Sequence, residues 1–371
     1  QQPGVEGGIE VTASHNPIGY NGMKLVRAGA VPVSGDSGLR EIEARVAALR
    51  TRCPVSSPRL TPVSFRHSYV EHLLSYVEVS RLRPLRIVVN AGNGVAGALI
   101  DALEPHLPFT FIKLHHQPDG DFPNGIPNPL IPEMRAPTAD AVRAHKADFG
   151  VAWDGDFDRC FLFDEAGNFV EGYYIVGLLA QALLRRELGA RVVHDPRLIW
   201  NTTEMVEQAG GVPVQCKTGH AFIKERMRSE NALYGGEMSA HHYFRDFAYC
   251  DNGTIPWLLV AGLISERGEH LSRLVADRQQ RFPISGEINR TVSDVPASLA
   301  AVESHYGGRA VSIDRTDGIG LDFGDWRFNL RPSNTEPVMR LNVESRADVG
   351  LMQARTDELL HFIGGLARSA A

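Results

Sequence analysis

The sequence has too few cysteines, in the wrong places, to build a disulfide framework or a zinc site. There are four, Cys53, Cys160, Cys216 and Cys250, and no two form a Cys-x-x-Cys pair. A reducing compartment follows as the default, so the cytoplasm is the expected location. No basic segment followed by an apolar run opens the chain, and no apolar stretch has the length of a bilayer span. The longest, 255–264, contains Pro256 and reads as a buried helix. Positive charge is also in deficit: 38 Lys and Arg face 44 Asp and Glu, for a formal charge of −6. That balance excludes nucleic acid and an anionic membrane as main partners, while leaving room for local basic pockets that hold phosphate. A Walker A sequence and a full G-x-G-x-x-G are missing as well. The glycine-rich segment 90–97 follows an apolar strand at 85–89 but has neither spacing, so it reads as a tight strand-to-helix turn.

What is present is globular in composition, with 43% hydrophobic and 22% charged residues, and 371 residues suffice for about two to four domains. Apolar periodicity and turn signals predict strands at 5–11 and 20–26 and a helix at 39–49, followed by a Pro- and Ser-rich linker at 51–62. A second unit, 63–166, reads as helix 69–79, strand 85–89, a helix ending at 103, helix 138–146 and strand 149–153. A third, 167–281, reads as helix 174–188, strand 192–194, helix 202–209, strand 212–216 and helix 221–228. From 282 to 371 the pattern changes to strands at 285–290, 310–314, 320–323, 326–330 and 338–343, with helices at 297–305 and 348–362. Such a run of strands with flanking helices marks an α+β unit.

The chemistry concentrates in loops. Thr12-Ala13-Ser14-His15-Asn16-Pro17 is an exposed loop at a strand end, either a reactive serine loop or an Asn-Pro turn, and Lys24 follows ten residues after Ser14. Asp154-Gly155-Asp156-Phe157-Asp158-Arg159 leaves a buried strand with three alternating carboxylates, which would repel one another without a cation. Hard oxygen ligands suit Mg²⁺, and the segment is too short for an EF-hand loop; a solvated acidic turn is the alternative. Lys217-Thr218-Gly219-His220 sits where a strand meets a helix N-terminus, a place that can receive an anion. In the segment 235–244, Glu237 and Ser239 suit sugar hydroxyls, whereas the adjacent His241 and His242 lack the i, i+4 spacing of a helical metal site. Arg331-Pro332-Ser333-Asn334-Thr335-Glu336-Pro337, with Arg340 beyond, offers an arginine fork and hydroxyl and amide donors for a phosphate, or is a polar hairpin.

Taken in order, Thr12 to Pro17, Asp154 to Arg159, Gly236-Glu237-Met238-Ser239 and Arg331 to Pro337 resemble the motifs of the α-D-phosphohexomutase superfamily, phosphomannomutase/phosphoglucomutase group. The resemblance covers essentially the whole chain. It implies an α/β protein with three related mixed α/β domains plus a smaller C-terminal α+β domain around a central cleft. It implies reversible interconversion of hexose 1-phosphate and hexose 6-phosphate through a phosphoserine at Ser14. Asp154, Asp156 and Asp158 would hold Mg²⁺ together with a phosphoserine oxygen at Ser14. Lys24, His15, Arg159 and His220 would transfer protons and handle phosphate. Lys217, Glu237 and Ser239 would contact the sugar phosphate, and Arg331, Ser333, Asn334, Thr335 and Arg340 the distal phosphate. Glucose 1,6-bisphosphate or mannose 1,6-bisphosphate would be the activator and intermediate, and the protein would be a monomer whose partners are small-molecule hexose phosphates. Met238 matches relatives that act on mannose or glucose.

Two positions depart from the pattern the resemblance implies: Phe157 and Ala240 stand where glycines are usual. The chain also begins at Gln1 without the segment that completes the first domain in the resembled family, which predicts a poorly stable or weakly active polypeptide. A phosphoserine-based sugar phosphatase, or a chain that binds sugar phosphate without turnover, are the alternative expectations.

Overall fold

The computed structural model describes residues 4–49, 60–333 and 338–369; Cys53, most of the expected linker, Asn334 and Thr335 lie outside the described residues. In the first unit, β1 (Gly7–Val11) and β2 (Met23–Arg27) pair antiparallel with Gly7 opposite Arg27, and β3 (Val31–Pro32) adds to β2 before α1 (Arg40–Ala48). The connection from β1 to β2 is closed by Thr12 N donating to Gly22 O at 3.1 Å, so the serine loop is the tip of a hairpin. Ile9, Val11 and Met23 on this sheet are exposed, which apolar periodicity alone did not foretell. The unit is moored to the third one through Ser34 Oγ, which donates to Glu225 Oε1 at 3.1 Å, and Arg228 Nη2, which donates to Ala30 O at 3.1 Å.

The second unit runs α2 (Arg66–Leu74), β4 (Arg86–Asn90), α3 (Gly97–Leu103), β5 (Thr110–Leu114), α4 (Ala136–His145), β6 (Phe149–Trp153), β7 (Cys160–Phe163) and β8 (Phe169–Val170). All five residues of β6 are buried, because helices cover both faces of its sheet. Val89 and Val151 face a core shared with α3, whereas Val88 and Ala152 face Ala139 and Val142 of α4.

The third unit runs α5 (Gly172–Leu184), β9 (Arg191–His194), α6 (Trp200–Gln208), β10 (Val212–Gln215), α7 (His220–Glu230), β11 (Tyr234–Gly236), β12 (His242–Phe244), β13 (Cys250–Asp251), α8 (Ile255–Arg267) and α9 (Leu271–Arg281). Helix α5 is apolar almost all round and lies in the core that joins the second and third units. The sheet orders β5-β4-β6-β7-β8 and β10-β9-β11-β12-β13 are the same, with three parallel strands followed by two antiparallel ones. This is the internal relationship that the residues themselves do not display.

The last unit, β14 (Ile288–Thr291), α10 (Val295–Tyr306), β15 (Ser312–Asp314), β16 (Ile319–Asp322), β17 (Trp326–Pro332), β18 (Val338–Ser345) and α11 (Val349–Ser369), is an antiparallel sheet of order β14-β18-β17-β16-β15 with its own core. The loops after β1, β6, β9, β10 and β11, strand β2 and the β17–β18 hairpin carry the candidate residues. In parallel sheets the ends of strands such as β6 and β9 are where ligands are met.

Candidate active site

Ser14 has a left-handed backbone, φ +51°, and its N–H donates to Thr12 Oγ1 at 2.9 Å. That tight turn presents Oγ to the aspartate loop of the second unit, where it donates to Asp154 Oδ2 at 3.0 Å; Thr12 Oγ1 donates to Asp156 Oδ2 at 2.9 Å. Contact this close needs a residue without a side chain: a Cβ on Gly155 would stand 2.3 Å from Ser14 O. Beside Ser14 Oγ, at 2.9 Å, is His15 Nδ1, which Arg159 Nη2 also approaches. Burial and the Arg159 charge push His15 down to about 4, so its ring is neutral at pH 7.

Asp154 is fully buried, with Arg159 Nε donating to its Oδ2 at 2.7 Å. Burial nevertheless pushes its carboxyl up to about 6 against the pull of Arg159. Lys24, on β2, bridges the other two carboxylates, Nζ donating to Asp156 Oδ2 at 2.8 Å and Asp158 Oδ2 at 2.7 Å. One ligand oxygen from each of Asp154, Asp156 and Asp158 falls within 4.8 Å of the others; among the described residues Asp156 Oδ1 is buried without a hydrogen-bond donor, and Asp158 Oδ1 has His241 Nε2 no nearer than 3.5 Å. Three carboxylates crowded in this way, one of them with an oxygen that lacks a donor among the described residues, fit a hard divalent cation.

The segment 236–241 meets the loop 154–159 directly. Arg159 and His241 form an isolated antiparallel bridge, and Cys160 N donates to Ala240 O at 3.0 Å. The two usual-glycine positions both have left-handed backbones, Phe157 at φ +48° and Ala240 at φ +69°, which glycine adopts without strain and these residues do not. Glu237 is buried; its Oε1 accepts from Gly219 N at 3.0 Å and its Oε2 from Tyr243 OH at 2.7 Å. Ser239 Oγ accepts from Arg197 Nη2 at 3.2 Å.

The two adjacent histidines have opposite fates because successive side chains at a strand face opposite ways. His241 Nε2 lies 3.5 Å from Asp158 Oδ1 and its Nδ1 3.3 Å from Glu237 Oε2. Burial opposes its charge, but those carboxylates prevail and raise it to about 10. His242 points into the core, 2.6 Å from Tyr234 OH through Nδ1, and burial lowers it to about 3. His220 heads α7 and shares a cleft of about 500 Å³ with Lys24, Asp156, Asp158, Lys224 and Asp251. Lys217 instead rests 4.8 Å over the Phe222 ring and makes no ion pair among the described residues.

Across the cleft, Arg331 on β17 and Arg340 on β18 are cross-strand partners. Arg331 Nη2 lies 3.2 Å from Glu287 Oε2 and Arg340 Nη1 3.4 Å from Glu287 Oε1, while Arg197 Nη1 lies 3.3 Å from Oε2. Ser333, directly after β17, donates its N–H to Val338 O at 2.8 Å. The sequence reading missed Arg197 and Glu287, and it weighed His241 only as a metal ligand. Arg197 had a usable signal in its place just after strand β9; Glu287 had none, because its partners come from residues 90, 44 and 53 positions away.

Comparison with known proteins adds family evidence. Models described as phosphoglucomutase/phosphomannomutase alpha/beta/alpha domains I, II and III match residues 1–52, 67–167 and 171–282, and the model of the C-terminal domain matches 287–361. The chain is 61% identical over 359 residues to phosphohexose mutases of Xanthomonas campestris pv. campestris, covering 97% of this chain and 80% of that one. It is 60% identical over 368 residues to a phosphomannomutase of Salmonella montevideo, with the same coverage of 97% and 80%. A solved phosphoglucomutase/phosphomannomutase family protein from Burkholderia thailandensis superposes with a TM-score of 0.84 at 29% identity, over 96% of this chain and 76% of that one.

Proposed function

The chain belongs to the phosphoglucomutase/phosphomannomutase family and is a mutase that interconverts hexose phosphates, and we propose that Ser14 is its phosphoryl carrier. The observation that carries the proposal is the junction of two loops from different units, with Ser14 Oγ 3.0 Å from Asp154 Oδ2 and Lys24 beside Asp156 and Asp158. In the forward half-reaction a sugar hydroxyl oxygen attacks the phosphorus carried by Ser14. The P–Oγ bond breaks, a P–O bond to the sugar forms, the hydroxyl proton passes to a basic side chain, and a proton is returned to the departing Ser14 Oγ, so that Ser14 ends as the free hydroxyl. The second half returns the other phosphoryl group of the resulting 1,6-bisphosphate to Ser14. Phosphoryl transfer rests mainly on positioning and charge neutralisation, which this arrangement supports.

Asp154, Asp156 and Asp158, with an oxygen carried by Ser14, would hold Mg²⁺, which when bound neutralises charge on the transferring group. His15 lies beside the Ser14 oxygen, with Arg159 against His15 and Asp154, and His15, neutral at pH 7, can accept a proton; Lys24 and His220 line the neighbouring cleft and complete the proton-handling set. Glu237 and Ser239 address sugar hydroxyls, with Lys217 at the margin. Arg331, Arg340, Ser333, Asn334 and Thr335 take the distal phosphate, so that a sugar bound in either orientation presents one end to Ser14. We take 1–62, 63–166, 167–281 and 282–371 as the four units, glucose or mannose as the sugar, glucose 1,6-bisphosphate or its mannose counterpart as activator, and a cytoplasmic monomer as the working form. Among the described residues no helix is long and apolar enough to cross a membrane.

A coupled assay tests the reading. Glucose 1-phosphate or mannose 1-phosphate, with a trace of the matching 1,6-bisphosphate and Mg²⁺, is expected to yield the 6-phosphate. Chelation of divalent metal is expected to reduce turnover by about 100-fold or more, the size of a lost metal contribution of several kcal/mol. Full turnover in chelator, or release of inorganic phosphate in place of the 6-phosphate, would count against it.

A further inference from the structure

The arginines assigned to the distal phosphate already surround an anion. Arg197, from the loop after β9, and Arg331 and Arg340, from β17 and β18, converge on the carboxylate of Glu287, which immediately precedes β14. Two of the three are a like-charged cross-strand pair, Arg331 opposite Arg340, an arrangement that is destabilising unless something negative stands between them. Glu287 fills that role in the ligand-free protein.

It fills it loosely. Each arginine offers Glu287 a single terminal nitrogen, at 3.2 to 3.4 Å, and none makes the two-pronged fork that guanidinium and carboxylate form when they fit. Among the described residues, Nε of all three arginines is buried without an acceptor. A planar group with two oxygens leaves these donors unanswered, whereas a tetrahedral phosphoryl group brings three.

Charge points the same way. Against the three arginines stand Glu287 and Asp195, the latter 2.8 Å from Arg197 Nη2, and with Glu237, 3.8 Å from Arg197, set against His241 at 3.3 Å, one positive charge is left over. A phosphoryl dianion entering beside a retained Glu287 would put two anions into one cup and overcharge it, whereas exchange for Glu287 leaves the cup neutral. Asp317, which acts on Arg331, adds negative charge at the edge and further disfavours keeping both. Glu287 has a way out, since 23% of its side chain is exposed and Gly286 before it, at φ +68°, has nothing within 4 Å of where a Cβ would be.

We propose that Glu287 is an internal stand-in for the substrate's distal phosphate, holding Arg197, Arg331 and Arg340 together until the phosphoryl group of a hexose phosphate displaces it. The proposal rests on the reading of this cup as the distal-phosphate site. It makes Glu287 a positioning residue whose charge competes with substrate. Removing the charge while keeping the shape is therefore expected to strengthen binding.

The test is Glu287→Gln in the full chain, measured by steady-state turnover of glucose 1-phosphate with saturating 1,6-bisphosphate and by calorimetric titration with inorganic phosphate. The expected result is a KM lowered by about three- to tenfold, the net scale of one ordinary hydrogen bond, with phosphate affinity raised by a similar factor and kcat not increased. A raised KM with weakened phosphate binding would mean that Glu287 merely props the arginines in place, and unchanged values would mean that it does not compete; either overturns the proposal. Should Glu287→Gln fail to give a cooperative melt, Glu287→Asp decides: its shortened carboxylate reaches the arginines poorly, so tighter phosphate binding supports displacement and weaker binding refutes it. Wild-type protein that neither turns over hexose phosphate nor binds phosphate would sink the functional reading and this proposal together. Wild-type turnover without gain in the variant sinks only the proposal.

Discussion

Replacing Glu344 by glutamine tests how the last unit is fastened to the site. Glu344 is fully buried on β18 and accepts from Arg327 Nη1 at 2.7 Å, from Ile199 N at 2.8 Å and from Tyr173 OH. Arg327, itself 2% exposed, donates onward to Arg197 O at 3.0 Å and Pro196 O at 3.1 Å. One carboxylate thus ties the fourth unit to the loop that carries Arg197. Glu344→Gln keeps the volume but leaves the Arg327 charge buried without its partner, which costs about 3–5 kcal/mol. Replacing both partners, Glu344→Leu with Arg327→Met, removes the stranded charge and is expected to be less destabilising than Glu344→Gln alone. Urea unfolding followed by tryptophan fluorescence reads the effect, because Trp200 and Trp326 lie close to this junction, Trp200 Nε1 donating to Asp322 Oδ2 at 3.2 Å. A Glu344→Gln cost below about 1 kcal/mol, or a double variant as damaged as the single one, would refute the assignment of this pair as the fastening.

Gly155→Ala places a Cβ where Ser14 O now stands, 2.3 Å away, so the serine and metal loops must part; kcat is expected to fall by at least about tenfold with the melting temperature little changed, and unaltered kcat would show that the contact is dispensable. His242, buried and lowered to about 3, gives a pH signature. Its folded value lies below the ordinary value near 6.5, so the unfolded chain binds the extra proton, and stability that is present above about pH 6.5 is lost as pH falls toward 3. His242→Gln is expected to flatten that part of the stability profile by up to a few kcal/mol, and an identical slope in the variant would contradict the burial argument.

What could be read from the sequence was local. Ser14, the three aspartates and the Arg331 segment announce themselves because each motif sits within a few consecutive residues, and β6 because five consecutive apolar residues fill a strand covered on both faces. His241, Arg197 and Glu287 were not legible, since their roles arise only when segments far apart in the chain are brought together. Strand β11, Tyr234–Gly236, contains two glycines and has no periodicity to detect; strand β7, Cys160–Phe163, is four residues long and follows the metal loop directly. Helix α9, Leu271–Arg281, hides in a polar stretch whose core contacts include Leu271, Leu274 and Val275. The shared strand order of the second and third units is a property of pairing, and pairing partners are not written in either strand.

The most direct measurement is the phosphorylation state of Ser14. Purified protein is incubated with a hexose 1,6-bisphosphate, and the peptide containing residues 12–24 is analysed by mass spectrometry before and after a chase with excess hexose monophosphate. One phosphoryl group on Ser14 that the chase removes, together with loss of turnover in Ser14→Ala, is the predicted result. An unmodified Ser14 in protein that turns over, or a Ser14→Ala variant with undiminished activity, would contradict it.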